Sequence, residues 1–201
     1  MKTFRKVLPK ATIMFLLFTA LCGIIYTALV TGLAQLIFPY QANGSLIVID
    51  GKKQGCALLG QQFTDPSHLW GRIVNLDVTT YKDRQGRTLV YAAPSNLSPA
   101  SPEFEKLVAE RVAKIRASHP EKEAFPIPVD LVTCSGSSLD PGISPAAAEF
   151  QVTRIARARS ISEEEVRQVI ARCTTGRFLG LLGEPTVNVL EVNLILDGKL
   201  R

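Results

Sequence analysis

No charged side chain occurs between Lys10 and Asp50. Within that gap residues 11–38, ATIMFLLFTALCGIIYTALVTGLAQLIF, are 28 mostly apolar positions. A helix needs about 20 such residues to cross a hydrocarbon core roughly 30 Å thick, so the stretch predicts one membrane-spanning helix with room for tilt. A cleaved signal segment is the competing reading, and Gly32-Leu33-Ala34 offers small residues at a cleavage position. Signal cores hold only about 7–15 apolar residues, so a retained anchor is the expectation. Lys2, Arg5, Lys6 and Lys10 flank the run on its short N-terminal side, whereas PYQANGS on the far side has no basic residue. Positive flanks stay in the cytoplasm. This predicts residues 1–10 as a cytoplasmic N-terminus, 11–38 as the transmembrane helix and 39–201 as an extracytoplasmic domain.

The same four residues account for most of the net charge of +5 in a chain of 201 residues. The remainder is nearly balanced and lacks the basic stripe that binding to nucleic acid phosphates requires. Of four cysteines, Cys22 lies in the apolar run. Cys56, Cys134 and Cys173 are an odd, widely spaced set that permits at most one disulfide, and no CxxC or His cluster points to a metal.

Beyond the anchor, SLIVIDGKKQGCALLGQQF reads as a hairpin from about Leu46 to Leu59, turning at Gly51-Lys52-Lys53. The Pro-, Ser- and Asn-rich residues up to Pro102 read as loop with one short strand near Thr88 to Tyr91. Ser101-Pro102 opens a first helix with Phe104, Leu107, Val108, Val112 and Ile115 on one face. FPIPVDLVTC follows as a predicted strand. Ser144-Pro145 opens a second helix through AAAEFQVTRIARAR, and Ser162 with Glu165 forms the capping box of a third, ending near Thr174 with Gly176 as its stop. VNVLEVNLIL, apolar on both alternations, reads as a central strand. The expected fold class is therefore α+β (mixed α/β), with no internal repeat, behind a single anchor.

Candidate chemistry concentrates in residues 132–160. Ser135, Ser137 and Ser138 are possible nucleophiles, but neither a G-x-S-x-G elbow nor S-x-x-K is present, and His68 and His119 sit in polar loops that read as solvent-exposed. SGSSLDPGIS precedes a helix and could cradle an anion; the same residues serve any tight loop and helix cap. Gly176, Gly180 and Gly183 precede a strand rather than follow one, which is poor support for a nucleotide loop. Gln151, Arg154 and Arg157 share helical neighbour spacing. They could hold a ligand, or pair within the domain with Asp130, Asp140 or Glu149.

The run Pro128 to Pro141, PVDLVTCSGSSLDP, together with ISPAAAEFQVTRIARAR, GLLGEPTVNVLEVNLILD, GSLI, LLGQQF and WGR, resembles the C subunit of the Kdp potassium-transporting ATPase, from the anchor to Asp197. Two departures stand out. Ser138 and Gly142 replace a Gly and a His common in that family, and Ala92 to Pro99 replaces a Gly-Gly-Ser-Asn-Leu-Gly-Pro run. The resemblance implies a non-catalytic accessory subunit of a high-affinity potassium pump in the bacterial plasma (inner) membrane, its main domain on the periplasmic side. Implied partners are a channel-like subunit and a P-type ATPase subunit that binds ATP, with K⁺ as the transported ion and no cofactor held firmly by this chain. Docking or ligand contact is then expected at Asp130, Ser135, Gly136, Ser137, Asp140, Pro141, Gln151, Arg154, Arg157 and Asn188. Two further ideas stay open at this point. Asp130 and Asp140 could tune ion access, and Gln151 could assist ATP binding, although the expected topology puts cytoplasmic ATP across the bilayer from it. An anchored nucleotide-binding or hydrolytic module acting alone is the reading from a different class.

Overall fold

Helix starts at the first turn of the chain and continues to the end of the apolar run. The structure, a computed structural model, describes residues 2–200, with the side chains of Lys2, Thr3 and Val78 excepted. The Lys2 ammonium of the basic cluster, and Met1 and Arg201 at the ends of two expected segments, lie outside the described residues. α1 (Lys2–Phe18) passes into a π-helical stretch (Thr19–Tyr26) and then α2 (Thr27–Ile37). Together Phe4–Ile37 form one helix, long and apolar enough to cross a membrane, with an 18-residue window of mean hydropathy 2.4, none of which is buried against protein. Three of its hydroxyls are turned back onto its own backbone. Thr12 and Thr19 donate to carbonyls four residues earlier, and Thr27 donates to Cys22 O, five residues earlier, at 3.1 Å. In lipid such groups have no water to turn to, so internal pairing is what makes them tolerable. The helix ends at Phe38, since Pro39 disfavours helical geometry in the residue before it. A single turn, α3 (Pro39–Ala42), follows. The chain divides into two compact units, with the break between Leu46 and Ile47.

The second unit opens with the expected hairpin, β1 (Leu46–Ile49) and β2 (Lys52–Cys56). Its turn sits one residue earlier than predicted, at Asp50 and Gly51, both at positive φ, as a two-residue hairpin turn requires. A second antiparallel pair, β3 (Leu76–Lys82) and β4 (Thr88–Ala92), includes the expected strand near Thr88 and one the sequence hid. β3 lacks a clean alternation because its register shifts between Asp77 and Tyr81, where the Asp77 carboxylate accepts from Thr79 N and Thr80 N. α4 (Pro102–Ser118) begins as predicted, with Ser101 Oγ accepting from Phe104 N.

FPIPVDLVTC is not a strand. Pro126 and Pro128 supply no N–H to a ladder, and the segment closes into a short 3-10 turn, Val129–Leu131, that buries Asp130. The second predicted helix forms as two pieces, α5 (Pro145–Phe150) and α6 (Val152–Arg159), jointed at Gln151. α7 (Glu163–Arg172) carries the full capping box at Ser162 and Glu165, and its C-cap at Cys173 lies next to the expected end near Thr174. The largest correction concerns VNVLEVNLIL. Only β7 (Thr186–Asn188) is strand, and the rest is α8 (Val189–Leu196). Asn188 supplies the reason, since its Oδ1 accepts from Glu191 N and starts a helix there. That helix buries most of its residues, Val189, Leu190, Val192 and Leu194 among them, so neither period could be read from its apolar pattern. β7 does take the central place expected, between β5 (Gly142–Ile143) and β6 (Thr174–Thr175), in an antiparallel sheet ordered β5-β7-β6. The core fills the space between this sheet, α4 and α5 to α8, with Leu69, Ile143, Val152, Ile155, Val166 and Val192 fully buried.

Asn188 also donates to Ala57 O at 2.9 Å, tying the β2 exit to the start of α8. Asn188→Ala should therefore lower stability by about 1–2 kcal/mol, a lost cap together with a half-buried bond, seen as an earlier denaturant midpoint with unchanged slope.

Candidate functional site

The site is built around a piece of backbone that belongs to neither helix nor sheet. Residues 65–72, DPSHLWGR, pass beside α6 and α8, from the exposed Asp65 and Pro66 to Leu69 and Trp70, which are buried. Buried N–H and C=O groups outside a ladder must find partners among side chains. Two amides provide them. Asn193 on α8 accepts from Leu69 N at 2.7 Å and donates to Leu69 O at 3.0 Å. Gln151, at the joint between α5 and α6, accepts from Trp70 N and donates to Trp70 O, both at 2.9 Å. Each amide thus stands in for a neighbouring strand.

Two arginines of α6 complete the pairing. Arg154 donates to the carbonyls of Pro66 and His68, to Gln151 Oε1 at 2.6 Å and, through Nε, to His119 Nε2 at 3.0 Å. Arg159 donates to Ser67 O at 2.6 Å, to Leu196 O and to Asp197. The Arg154 guanidinium lies 4.2 Å from the Trp70 ring centre, a cation–π placement. Its ordinary pKa is pushed down to about 10, chiefly by burial and partly offset by the charges of Glu121 and Asp65. It therefore stays cationic at neutral pH, held mostly by carbonyl dipoles. His119, expected to be exposed, is fully buried, edge-on to Trp70 and against Phe150. Since it accepts from Arg154 at Nε2, its proton sits on Nδ1, which donates to Ile115 O at 2.9 Å. Burial holds its pKa below the usual histidine value, with the charge of Arg154 adding to the effect.

Residues 135–141 form a self-bonded loop. Ser138, at φ +61 and buried, accepts from Asn75 N, and Ser137 accepts from Leu139 N at 3.2 Å. Ser135 accepts weakly from Asp140 N at 3.4 Å, and Pro141 O accepts from Val189 N. Leu139 O accepts from Gly60 N at 2.8 Å, and a Cβ at Gly60 would come within 2.6 Å of Asp140 O. Only glycine permits so close an approach, which accounts for the Gly of LLGQQF. Asp130 and Asp140 converge on Arg72 of the buried segment, and Asp130 also accepts from Ser144 N at 2.9 Å.

Gln151 and Arg154 therefore do not form an exposed docking face. They are turned inward because residues 65–72 need their hydrogen bonds, and Arg154 takes no carboxylate partner within ion-pair distance among the described residues. Of the candidate residues, Gly136, Ser137 and Arg157 are exposed, Ser135, Asp140, Pro141 and Asn188 are half-buried, and Asp130 is buried. Arg157 reaches Glu121 at 3.4 Å. Arg72, Asn193, Trp70, His119 and Arg159 were missed as parts of the network. The signal for Asn193 was present, as a lone amide in an apolar run.

Neither histidine hydrogen-bonds the serines of the loop among the described residues. Ser67, His68 and Asp197 do fall in line, with Ser67 Oγ 3.4 Å from His68 Nδ1 and His68 Nε2 3.2 Å from Asp197. The Ser67 hydroxyl, however, gives its proton to Asp65 at 2.5 Å, so it is a capping hydroxyl rather than a nucleophile. Cys22, Cys134 and Cys173 are thiols, and burial raises that of Cys173 to about 11, which keeps it unreactive. No group of three His, Cys, Asp or Glu side chains among the described residues could hold a metal.

Residues 8–198 match the family model described as K⁺-transporting ATPase, c chain. A potassium-transporting ATPase KdpC subunit from Clostridium botulinum (strain Eklund 17B / Type B) is 59% identical over 201 residues, the whole of both chains. One from Clostridium perfringens is 59% identical over 98% of this chain and 99% of its own. One from Sorangium cellulosum is 51% identical over 95% and 97% respectively.

Gln151→Leu should cost about 3 kcal/mol or more, because both backbone groups of Trp70 would be left buried and unpaired; urea unfolding of the full chain in detergent measures it. The histidine gives a pH dependence of defined sign. With its folded pKa below 6.5, stability is full above that pH and falls as pH drops below it, since the unfolded chain takes up a proton the fold refuses. His119→Gln, which keeps an acceptor for Arg154, should flatten the fall between about pH 5 and 6.5, above the range where carboxylates titrate.

Proposed function

The chain belongs to the KdpC family of K⁺-transporting ATPase subunits, and on that premise we propose that it is a non-catalytic accessory subunit of an ATP-driven potassium uptake complex. A single helix holds it in the bacterial plasma membrane, and its α+β domain lies on the outer, periplasmic side, as the four basic residues before the apolar run favour. ATP is bound and hydrolysed on a P-type ATPase subunit, and K⁺ passes through a channel-like subunit. The domain supports assembly of those partners.

The observation that carries this reading is the saturation of Gln151. Its amide oxygen accepts from Trp70 N and Arg154, and its amide nitrogen donates to Trp70 O and Ala147 O, which uses all four of its hydrogen-bonding positions. Nothing remains with which to grip a nucleotide without dismantling the fold. Asp130 and Asp140 are likewise engaged by Arg72, which speaks against their serving as free oxygen ligands for K⁺ at an outer mouth. A rigid scaffold is what such a network supplies. The exposed parts of the candidate set, the loop around Gly136 and Ser137 and separately Arg157, are the proposed partner contacts, with Ser135, Asp140, Pro141 and Asn188 shaping the loop and its surroundings.

Ser137→Arg and Arg157→Glu, made one at a time, test the contacts, since both positions are exposed and can change without disturbing the core. A C-terminally tagged parent, purified in mild detergent from potassium-starved cells expressing the whole complex, should bring down its partner subunits with potassium-stimulated ATPase activity. Each variant should recover less of both while keeping its unfolding midpoint. Unchanged recovery from both variants would remove these surfaces from the proposal.

A further inference from the structure

Between α7 and β7 the chain runs through a loop, GRFLGLLGE, whose large side chains are mostly exposed. Phe178, Leu179, Leu181 and Leu182 are 68%, 78%, 80% and 64% exposed. Four such side chains within five residues form an apolar patch that a water-facing loop does not keep without cause. The loop is nevertheless well formed. Phe178 and Leu182 pair as an antiparallel bridge, with Phe178 N donating to Leu182 O at 2.8 Å and Leu182 N to Phe178 O at 3.0 Å. Leu181 N also donates to Phe178 O, and Gly180 N to Arg177 O. Leu179 is held at φ +53, so even a branched side chain is kept in the left-handed region to close the turn. At the base Arg177 and Glu184 clasp each other at 2.8 Å, and no charged side chain stands between them.

These features together describe a segment prepared to leave water. Its side chains are apolar, four of its five backbone donors are satisfied within the loop, and its flanking charges cancel. A protein pocket recognises through unpaired donors and through Trp, Tyr and Arg anchors, with Leu under-represented; here four of the five donors are spent and the anchors are Leu and Phe. A lipid surface asks for neither. It does penalise unpaired backbone in the hydrocarbon core. The carbonyls of Leu179, Gly180 and Leu181 accept no hydrogen bond among the described residues, which suits the hydrated headgroup boundary and not the bilayer centre. A bilayer is at hand, because the same chain carries a helix able to span one. We propose that the 178–182 finger inserts into the interfacial zone of the membrane, giving the chain a second lipid contact besides its anchor. As the clasp is neutral, insertion should not depend on anionic lipid.

The proposal rests on the anchored reading of the chain, and its test separates the two. Leu181→Trp, and independently Phe178→Trp, would be made in the full chain and reconstituted into phosphatidylcholine vesicles containing phosphatidylcholine spin-labelled near the top of its acyl chain. The one native tryptophan, Trp70, is buried and gives the background in the parent protein. The added tryptophan should emit to the blue of a water-exposed indole and lose most of its emission to the spin label, equally with phosphatidylglycerol added. Emission typical of water, quenched by aqueous iodide and not by the labelled lipid, in both variants would overturn the proposal. So would shielding from iodide that appears only with the other subunits of the complex, or only at high protein density, without lipid quenching; the finger would then belong in a protein pocket. A chain that fails to float with vesicles would overturn the anchored reading itself.

Discussion

The second unit is braced around one constraint: within residues 65–72 the backbone of Leu69 and Trp70 is buried without a ladder. Exchanging water for protein partners is nearly neutral when each group is matched and costly when one is not. The fold meets this with side-chain amides, Asn193 for Leu69 and Gln151 for Trp70, and with the guanidiniums of Arg154 and Arg159 on the carbonyls of Pro66, Ser67 and His68. Because these groups project from α6, α8 and the α5 to α6 joint, the segment fixes the helices relative to one another. The joint at Gln151 follows from the same demand, since an uninterrupted helix would not direct that amide and Arg154 toward one strand of chain.

This arrangement commits residue types associated with chemistry to holding the fold. Arginine, glutamine, histidine and asparagine cluster at short distances, and in a cleft the cluster would invite a substrate. Here it is closed, with Trp70 capping the guanidinium and Phe150 packed on His119. Arg72 extends the network to Asp130 and Asp140, so the serine-rich loop is set by the same segment that α6 grips. A domain so cross-braced is suited to hold a shape, in keeping with the accessory role proposed for it.

The sequence was legible wherever local chemistry decides structure. Ser101, Ser144 and Ser162 announced three helix starts that formed as read, and Gly51-Lys52-Lys53 announced a hairpin whose turn lies one residue earlier, at Asp50-Gly51. The 28-residue uncharged run announced the apolar helix. It was illegible where burial removes periodicity or where tertiary partners replace a ladder. α8 is apolar around most of its circumference, so helix and strand patterns coincide there. FPIPVDLVTC looked extended because its side chains are apolar, yet its prolines preclude pairing. For the site, spacing brought Gln151 and Arg154 together correctly but could not say which way they point. Their partners are backbone groups some 80 residues earlier in the chain, and backbone leaves no mark in residue types.

The clamp on residues 65–72 is tested most directly by native-state amide hydrogen exchange at Leu69 and Trp70 in the full chain. Amides held by Asn193 and Gln151 should exchange only through global unfolding, with protection that falls in step with overall stability as denaturant is added. Rapid exchange at either amide, through openings that leave the protection of α6 and α8 intact, would contradict the account: the segment would then be a passenger on the fold and not its keystone.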